Sequence, residues 1–392
     1  MQAWHNRQGG GDMNRREFLG TTAVAAGGAA SGFAGGMAHA GEARAGESET
    51  LDAPRRSRVW QIGGAGGFET LRLATRATPM PGRGEVLVEV HMSGLAARDQ
   101  AIVRGWFLED KPPTRIPLSE GVGTVVAVGE DVTHVAVGER VTCAHFARWI
   151  SGPWDPVNYA VDVGNTVDGW LGERVILPAS GVLRVPDGVD DRTAATVSGS
   201  GVTAWQALHE IARVRAGDTV LTLGTGGVST WGLLLAKAAG ARVVITSSSD
   251  EKLAQMRALG ADVTVNYRRH RDWGERIHAE TGGANIVLET VGRITLDRSM
   301  QACANNAMVV MIGTTPLPER LPEMPGLYVR NLGLRAISNG SRDMLAALLR
   351  AVAANGIEAV VGGVFGFEEV VAAFEYAAAA EHAGKVLIDH RR

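Results

Sequence analysis

Cysteine is almost absent from this chain of 392 residues, which carries only Cys143 and Cys303. Two thiols build neither a disulfide framework nor a four-ligand zinc site, so both read as small buried hydrophobes. Aromatic residues are scarce at 5%, and a net charge of −3 leaves no electrostatic footprint for nucleic acid. No stretch beyond the leader described next approaches the roughly 20 apolar residues of a transmembrane helix. What is there is 45% hydrophobic, ample for the cores of about two domains.

The first forty residues differ in kind from the rest. Met13-Asn14-Arg15-Arg16-Glu17-Phe18-Leu19-Gly20 precedes a weakly apolar Ala/Gly-rich run and then Ala38-His39-Ala40, a small-x-small cleavage signature. Residues 1–40 thus read as a twin-arginine export signal, with Met13 a candidate start. The expectation is a partner in the twin-arginine machinery and a periplasmic location, with the leader either cleaved or kept as an anchor. Residues 41–57, polar and small, read as a flexible linker.

The chain is organised around Asp218 to Gly240. Asp218–Leu223 is a short apolar run of the buried parallel type; Gly224-Thr225-Gly226-Gly227 breaks it, and Val228–Ala239 is a helix closed by Gly240. Ala241–Thr246, Asp250–Leu259 and Val263–Asn266 repeat the alternation, giving a βαβαβ unit. Glycines bring backbone close to a pyrophosphate, and the helix N-terminus from Val228 offers unpaired N–H groups. Gly224 and Gly226 fill two places of G-x-G-x-x-G, whereas Ser229 stands in the third.

A carboxylate is missing where an NAD site places one, about 20 residues on at the end of the second strand. Thr246 and Ser247 stand there, while Asp250 and Glu251 belong to the first turn of the next helix, where acids serve its dipole. Ser247, Ser248, Lys252 and Tyr267-Arg268 could surround a 2′-phosphate. The reading is NADP(H) in preference to NAD.

Around this unit, Val59–Leu73, Glu85–His91, Gly121–Val128, Arg140–Ala144 and Arg174–Leu177 read as strands of a β domain, and Asp191–Arg213 as helical. Ile286–Glu289, Met308–Ile312 and Leu332–Ile337 read as further strands. Arg342–Ala354 and Glu368–Glu381 read as helices, and Lys385–Ile388 as a last strand.

These segments resemble the medium-chain dehydrogenase/reductase superfamily over residues 58–390. The likeness rests on Pro81-Gly82-x-Gly84-Glu85-Val86, Glu120-Gly121-Val122-Gly123, Val137-Gly138-Glu139-Arg140-Val141, Thr203-Ala204-Trp205, the Gly224 turn and His382-Ala383-Gly384-Lys385-Val386. It implies an α/β fold in which a GroES-like β domain is built from residues 58–190 and 339–392, with a Rossmann domain over 191–338 between them. It also implies an active site in the cleft and a homodimer, the usual symmetric assembly.

Zinc-containing members supply a Cys, a His and a second Cys to the metal; matched here, these fall on Ala96, Ser119 and Gly199, with only Glu120 kept beside them. The implied branch is the zinc-independent quinone oxidoreductases and related NADP-dependent alcohol dehydrogenase-like proteins. On that likeness Thr203, Gly313, Thr314, Asn339, Gly340 and Lys385 join the cofactor contacts. The branch often has Asn-Tyr before Arg-Asp, where this chain has Ala96-Ala97-Arg98-Asp99.

Without a Lewis acid, developing negative charge must be met by donors. Arg98 and Glu120 are the candidate catalytic groups, although an Arg-Asp pair at a helix start and a surviving neighbour of a lost ligand both also fit structural roles. Trp106, Phe107, Trp149, Trp154 and Tyr159 form either an apolar substrate wall or ordinary packing. Two functions are open: hydride transfer between NADP(H) and a small apolar carbonyl, enone, quinone or alcohol, and an NADPH-binding sensor with little turnover.

Overall fold

Apolar runs broken by glycine, proline and aspartate give two separate sheets in the computed structural model, which describes residues 56–64, 66–105, 111–313 and 325–392. The export signal, most of the linker, and Trp106, Phe107 and Thr314 lie outside the described residues.

The first sheet is mostly antiparallel. Its strands are β3 (Glu85–Leu95), β4 (Glu120–Val128), β5 (Arg140–Cys143), β6 (Arg174–Pro178), β7 (Val182–Arg184), β14 (Val361–Gly366) and β15 (Lys385–Asp389). Their order is β14-β15-β3-β4-β5-β7, with β6 also on β3, and only β14–β15 is a parallel pair. A separate antiparallel pair, β1 (Arg56–Gln61) and β2 (Arg72–Ala77), lies before it in the chain. Both chain ends therefore contribute to one sheet. Trp170, Phe367 and Phe374 are fully buried in its core.

The second sheet is wholly parallel. It comprises β8 (Thr219–Leu223), β9 (Arg242–Ser247), β10 (Val263–Asn266), β11 (Ala284–Glu289), β12 (Cys303–Met311) and β13 (Gly333–Ala336), in the order β10-β9-β8-β11-β12-β13. Every residue of β8 is buried, as expected of a strand covered on both faces. The order reverses beside β8, where doubly wound folds bind dinucleotides.

Short helices α1 (Ala97–Val103), α2 (Asp191–Ala194) and α3 (Val202–Trp205) precede the parallel sheet in sequence. Helices α4 (Gly227–Ala238), α5 (Asp250–Ala258), α6 (Trp273–Thr281), α7 (Leu296–Ala302) and α8 (Pro325–Val329) alternate with its strands. Finally, α9 (Arg342–Asn355) and α10 (Val370–Ala379) lead back to the first sheet. The α/β expectation holds.

Two local expectations need correction. Val59–Leu73 is not one strand, because Gly63 turns at φ +75 and a Cβ there would meet the Thr70 carbonyl at 1.8 Å. Phe68 is thereby tucked into the core in a short 3₁₀ turn. Asp191–Arg213 is not a regular helix either: α2 and α3 are joined and followed by wide turns at Val197–Gly201 and Gln206–Ile211. Within the first of these, the amides of Gly199 and Ser200 donate to the Glu120 carboxylate at 2.9 and 3.2 Å. Finally, β14, α6 and α7 escaped the sequence reading; β14 holds three glycines among six residues and so carries little strand propensity.

Candidate active site

The end of β8 forms a cradle made of backbone. Gly224 sits at φ +74, a conformation that favours glycine, with open space around it; Gly226, the N-cap of α4, is exposed, and a Cβ there would meet nothing within 4 Å. The first N–H groups of α4, from Gly227 and Val228, begin beside that space. Ser229, where the motif has glycine, is buried and donates its hydroxyl to the Leu223 carbonyl at 2.6 Å. It thereby ties helix to strand. This arrangement fits a dinucleotide pyrophosphate.

Gly227 serves a different purpose from the one expected. A Cβ there would meet the Lys385 stem at 2.5 Å and the Ser200 hydroxyl at 2.7 Å, so its bareness admits the last strand. Beside it, the Gly384 N–H donates to the Thr225 carbonyl at 2.7 Å, and Gly226 and Gly384 form a bridge.

At the end of β9, Ser247 is buried, and Ser248 and Lys252 are half-buried. The Ser247 hydroxyl accepts from the Ser249 N–H at 3.3 Å, and Ser249 caps α5 by accepting from the Lys252 N–H. Tyr267 and Arg268 are exposed beside them, with the Tyr267 N–H on the Ser247 carbonyl at 3.0 Å. Lys252 Nζ donates to the Ala380 carbonyl at 2.6 Å. Burial lowers the Lys252 pKa, opposed by Glu381. Asp250 is turned to Asn266 and Arg269.

The second region is closed. Lys385, expected at the cofactor, is 3% exposed, and its ammonium donates to the Leu95 carbonyl at 2.7 Å and to Glu120. Glu120 is fully buried, with its other oxygen on the Gly199 and Ser200 amides. Burial raises its pKa and Lys385 opposes that. The carboxylate is thus a structural anchor rather than a free acid.

Arg98 also departs from expectation, since its partner is not the adjacent Asp99. It makes a two-pronged pair with Asp162 at 3.0 and 2.7 Å, donates to Ser119 Oγ at 3.1 Å, and lies over the Phe146 ring. Asp99 instead receives the Ala96 N–H at 2.9 Å and the Ser119 hydroxyl. Burial raises the Asp99 pKa, countered most by Arg98.

A catalytic zinc needs three protein ligands and an open position. Ala96 and Gly199 offer no donor, the Ser119 hydroxyl is given to Asp99, and a Cβ at Gly199 would meet Glu120 Oε2 at 2.4 Å. These residues do not fit such a metal. Among the described residues, no group of three or more His, Cys, Asp or Glu is placed to hold one.

At the carboxyl end of β13, Asn339 adopts φ +42, and its amide donates to the His145 ring, 3.0 Å from Nε2, and to the Ser198 carbonyl at 3.1 Å. Thr203 donates to the Gly199 carbonyl at 2.8 Å and approaches the Asn339 amide oxygen at 3.5 Å. Gly340 and Gly313 are packing glycines: a Cβ would meet Val202 at 2.5 Å in one case and the Thr290 carbonyl at 2.4 Å in the other. His145 went unnoticed in the sequence, because a lone histidine after a strand carries no motif. Burial, reinforced by Arg98, holds its pKa well below the usual imidazole range.

Trp149, Trp154 and Tyr159 do come together, around Phe146. Phe146 contacts Trp154 and Tyr159 at 4.7 and 5.3 Å, and Trp154 reaches Trp149 at 5.0 Å. Trp149 is buried and donates its indole N–H to the Gly152 carbonyl, so it supports the cluster while Trp154 and Tyr159 remain part-exposed. The two cysteines are buried free thiols, each pushed by burial up to about 12.

Known proteins agree with this layout. The alcohol dehydrogenase GroES-like domain family matches residues 82–187, and the zinc-binding dehydrogenase family matches residues 227–363. A zinc-type alcohol dehydrogenase-like protein of Schizosaccharomyces pombe is 34% identical over 333 residues, covering 82% of this chain and 96% of its own. An alcohol dehydrogenase-type structure from Sinorhizobium meliloti 1021 superposes with a TM-score of 0.80 at 34% identity, covering 86% of this chain and 99% of that one. An NAD-dependent alcohol dehydrogenase superposes at 0.78 with 28% identity, over 85% and 99% of the two chains. A mycobacterial protein solved with NADPH superposes at 0.72 with 26% identity, over 85% and 100%.

Proposed function

As the chain belongs to the alcohol dehydrogenase-like medium-chain dehydrogenase/reductases and is an oxidoreductase of that family, we propose that it transfers hydride between NADP(H) and a small apolar carbonyl, enone, quinone or alcohol without zinc. The observation that carries this reading is the contrast between an open backbone cradle at Gly224 and Gly226 and a metal position whose three ligand places are Ala96, Ser119 and Gly199.

When bound, the dinucleotide supplies or accepts the hydride. Gly224, Gly226 and the first amides of α4 would hold its pyrophosphate, and Ser247, Ser248, Lys252 and Tyr267 its adenosine 2′-phosphate. Thr203 and Asn339 would border the reacting half. Phe146, Trp154 and Tyr159 would exclude water and hold an apolar substrate.

The leader motif around Arg15-Arg16 supports export by the twin-arginine route with the cofactor already bound, and the family likeness supports a homodimer.

Steady-state NADPH oxidation with an aldehyde, enone and quinone panel, before and after chelator treatment, tests the proposal. Turnover that survives chelation with no more than trace zinc is expected. Loss of turnover on chelation, restored by zinc, would refute it.

A further inference from the structure

The segment His382-Ala383-Gly384-Lys385 meets the cradle, and two of its members have their partners: Gly384 donates to the Thr225 carbonyl, and Lys385 to Glu120. His382 stands apart. Its ring is half-exposed, and its Nδ1 is buried with no hydrogen-bond partner among the described residues. Because no acceptor holds a hydrogen on Nδ1, the neutral ring can carry it on Nε2, the nitrogen that is not sealed off.

Its place follows from two anchors. On one side of it, Lys252 in the first turn of α5 donates to the Ala380 carbonyl at 2.6 Å; on the other, the Gly384 N–H donates to the Thr225 carbonyl at 2.7 Å. Residues 380–384 therefore carry the chain from the start of α5 to the Gly224 turn, and His382 is midway. The ring is held there. It stacks on Tyr376 of α10 at 5.4 Å, the Tyr376 hydroxyl donates to the Gly362 carbonyl at 3.0 Å, and a Cβ on Gly362 of β14 would meet His382 Cβ at 2.8 Å. The charged groups that face it are Lys252 of α5 and Lys385 of β15, with Glu381 beside Lys252. Burial first, and then the two ammoniums, lower its pKa, so the ring is neutral at pH 7.

Resting on the NADP(H) reading proposed above, we infer that His382 is a ligand of the adenosine 2′-phosphate, its Nε2–H donating to a phosphate oxygen beside Lys252. Ser247, Ser248 and Tyr267 meet that phosphate from the parallel sheet, and His382 meets it from the segment that returns to the first sheet. The residue thereby helps to separate NADP(H) from NAD(H), which differ only in this group. A neutral donor suits the place: it adds a hydrogen bond to a charged acceptor without setting a third cation beside Lys252 and Lys385.

Calorimetric titration of the unaltered protein, His382→Ala and His382→Gln with NADPH and with NADH tests the assignment. His382→Ala should bind NADPH about 10–100-fold more weakly, the worth of a hydrogen bond to a charged group, and NADH within about twofold of the unaltered protein. His382→Gln, whose amide is also a donor, should recover part of the loss. A second readout needs no Ala variant: 2′-AMP should shift the ring-nitrogen NMR signal that His382→Gln lacks, while 5′-AMP leaves it in place. Equal weakening of NADPH and NADH, or full NADPH affinity in His382→Ala, or a ring signal that 2′-AMP does not move, would overturn the inference and leave the NADP(H) reading standing. An unaltered protein that binds NADH as tightly as NADPH would remove that reading, and the role of His382 with it.

Discussion

The two halves of the cleft hold polar groups in opposite ways. The cradle at Gly224 and Gly226 is built of backbone and is open, with the first turn of α4 beside it, whereas around Glu120 the Lys385 ammonium and the Gly199 amide are committed to one carboxylate. A surface made to receive a large anion must keep donors free, while a buried carboxylate must have its charge met by neighbouring donors. The difference also predicts how each half fails: the closed half through stability, the open half through binding.

The largest effect should come from Lys385→Met. Removing one member of a buried pair leaves Glu120 uncompensated and should cost about 3–5 kcal/mol, while Glu120→Gln with Lys385→Met should recover much of it. Urea unfolding of the single and double variants measures this. A loss under about 1 kcal/mol for the single change would show that the closed half is not held by the pair.

Acid should also act on the closed domain first. His390 is buried, with its ring nitrogens on Ser93 Oγ at 2.8 Å and the Gly172 carbonyl at 3.1 Å, and burial lowers its pKa from 6.5 to about 3. A depressed imidazole contributes stability that is complete above pH ~6.5 and is lost as pH falls from there toward ~3. At pH 5 the loss is about 2 kcal/mol. Unfolding midpoints at pH 7 and pH 5 should therefore lie closer together in His390→Gln; an unchanged gap would assign acid lability elsewhere.

The same contrast explains what the sequence makes legible. The cradle is local: strand, turn and helix follow one another within Asp218–Gly240, so period and glycine spacing suffice to place it. The closed half joins Lys385 to Glu120 across 265 residues, and Arg98 to Asp162 across 64. No spacing rule reaches that far. Thus Lys385 reads as a cofactor contact until its ammonium is located, Arg98 reads as the partner of Asp99, and His145 does not stand out at all. The wide turn at Val197–Gly201 is hidden for the same reason, since a carboxylate 79 residues earlier takes the Gly199 amide.

The open half predicts selective binding loss. Lys252→Ala should weaken NADPH by about 1–3 kcal/mol if the ammonium exchanges the Ala380 carbonyl for a 2′-phosphate, and should leave NADH nearly unaffected. Calorimetric titration with both nucleotides separates the cases. Equal weakening would mean that Lys252 acts by fastening the Ala380 turn rather than by meeting phosphate.

The smallest effect tests the departure from the glycine motif. A third glycine ordinarily lets helix and strand approach. Here the Ser229 side chain fits because its hydroxyl donates back to the last carbonyl of β8, turning a steric problem into a tie. Ser229→Ala should cost about 1 kcal/mol in unfolding free energy and leave NADPH affinity within about twofold, because the hydroxyl points to the strand. If affinity instead fell about tenfold with stability intact, the hydroxyl would be a phosphate ligand, and the cradle would depend on side chains as the closed half does.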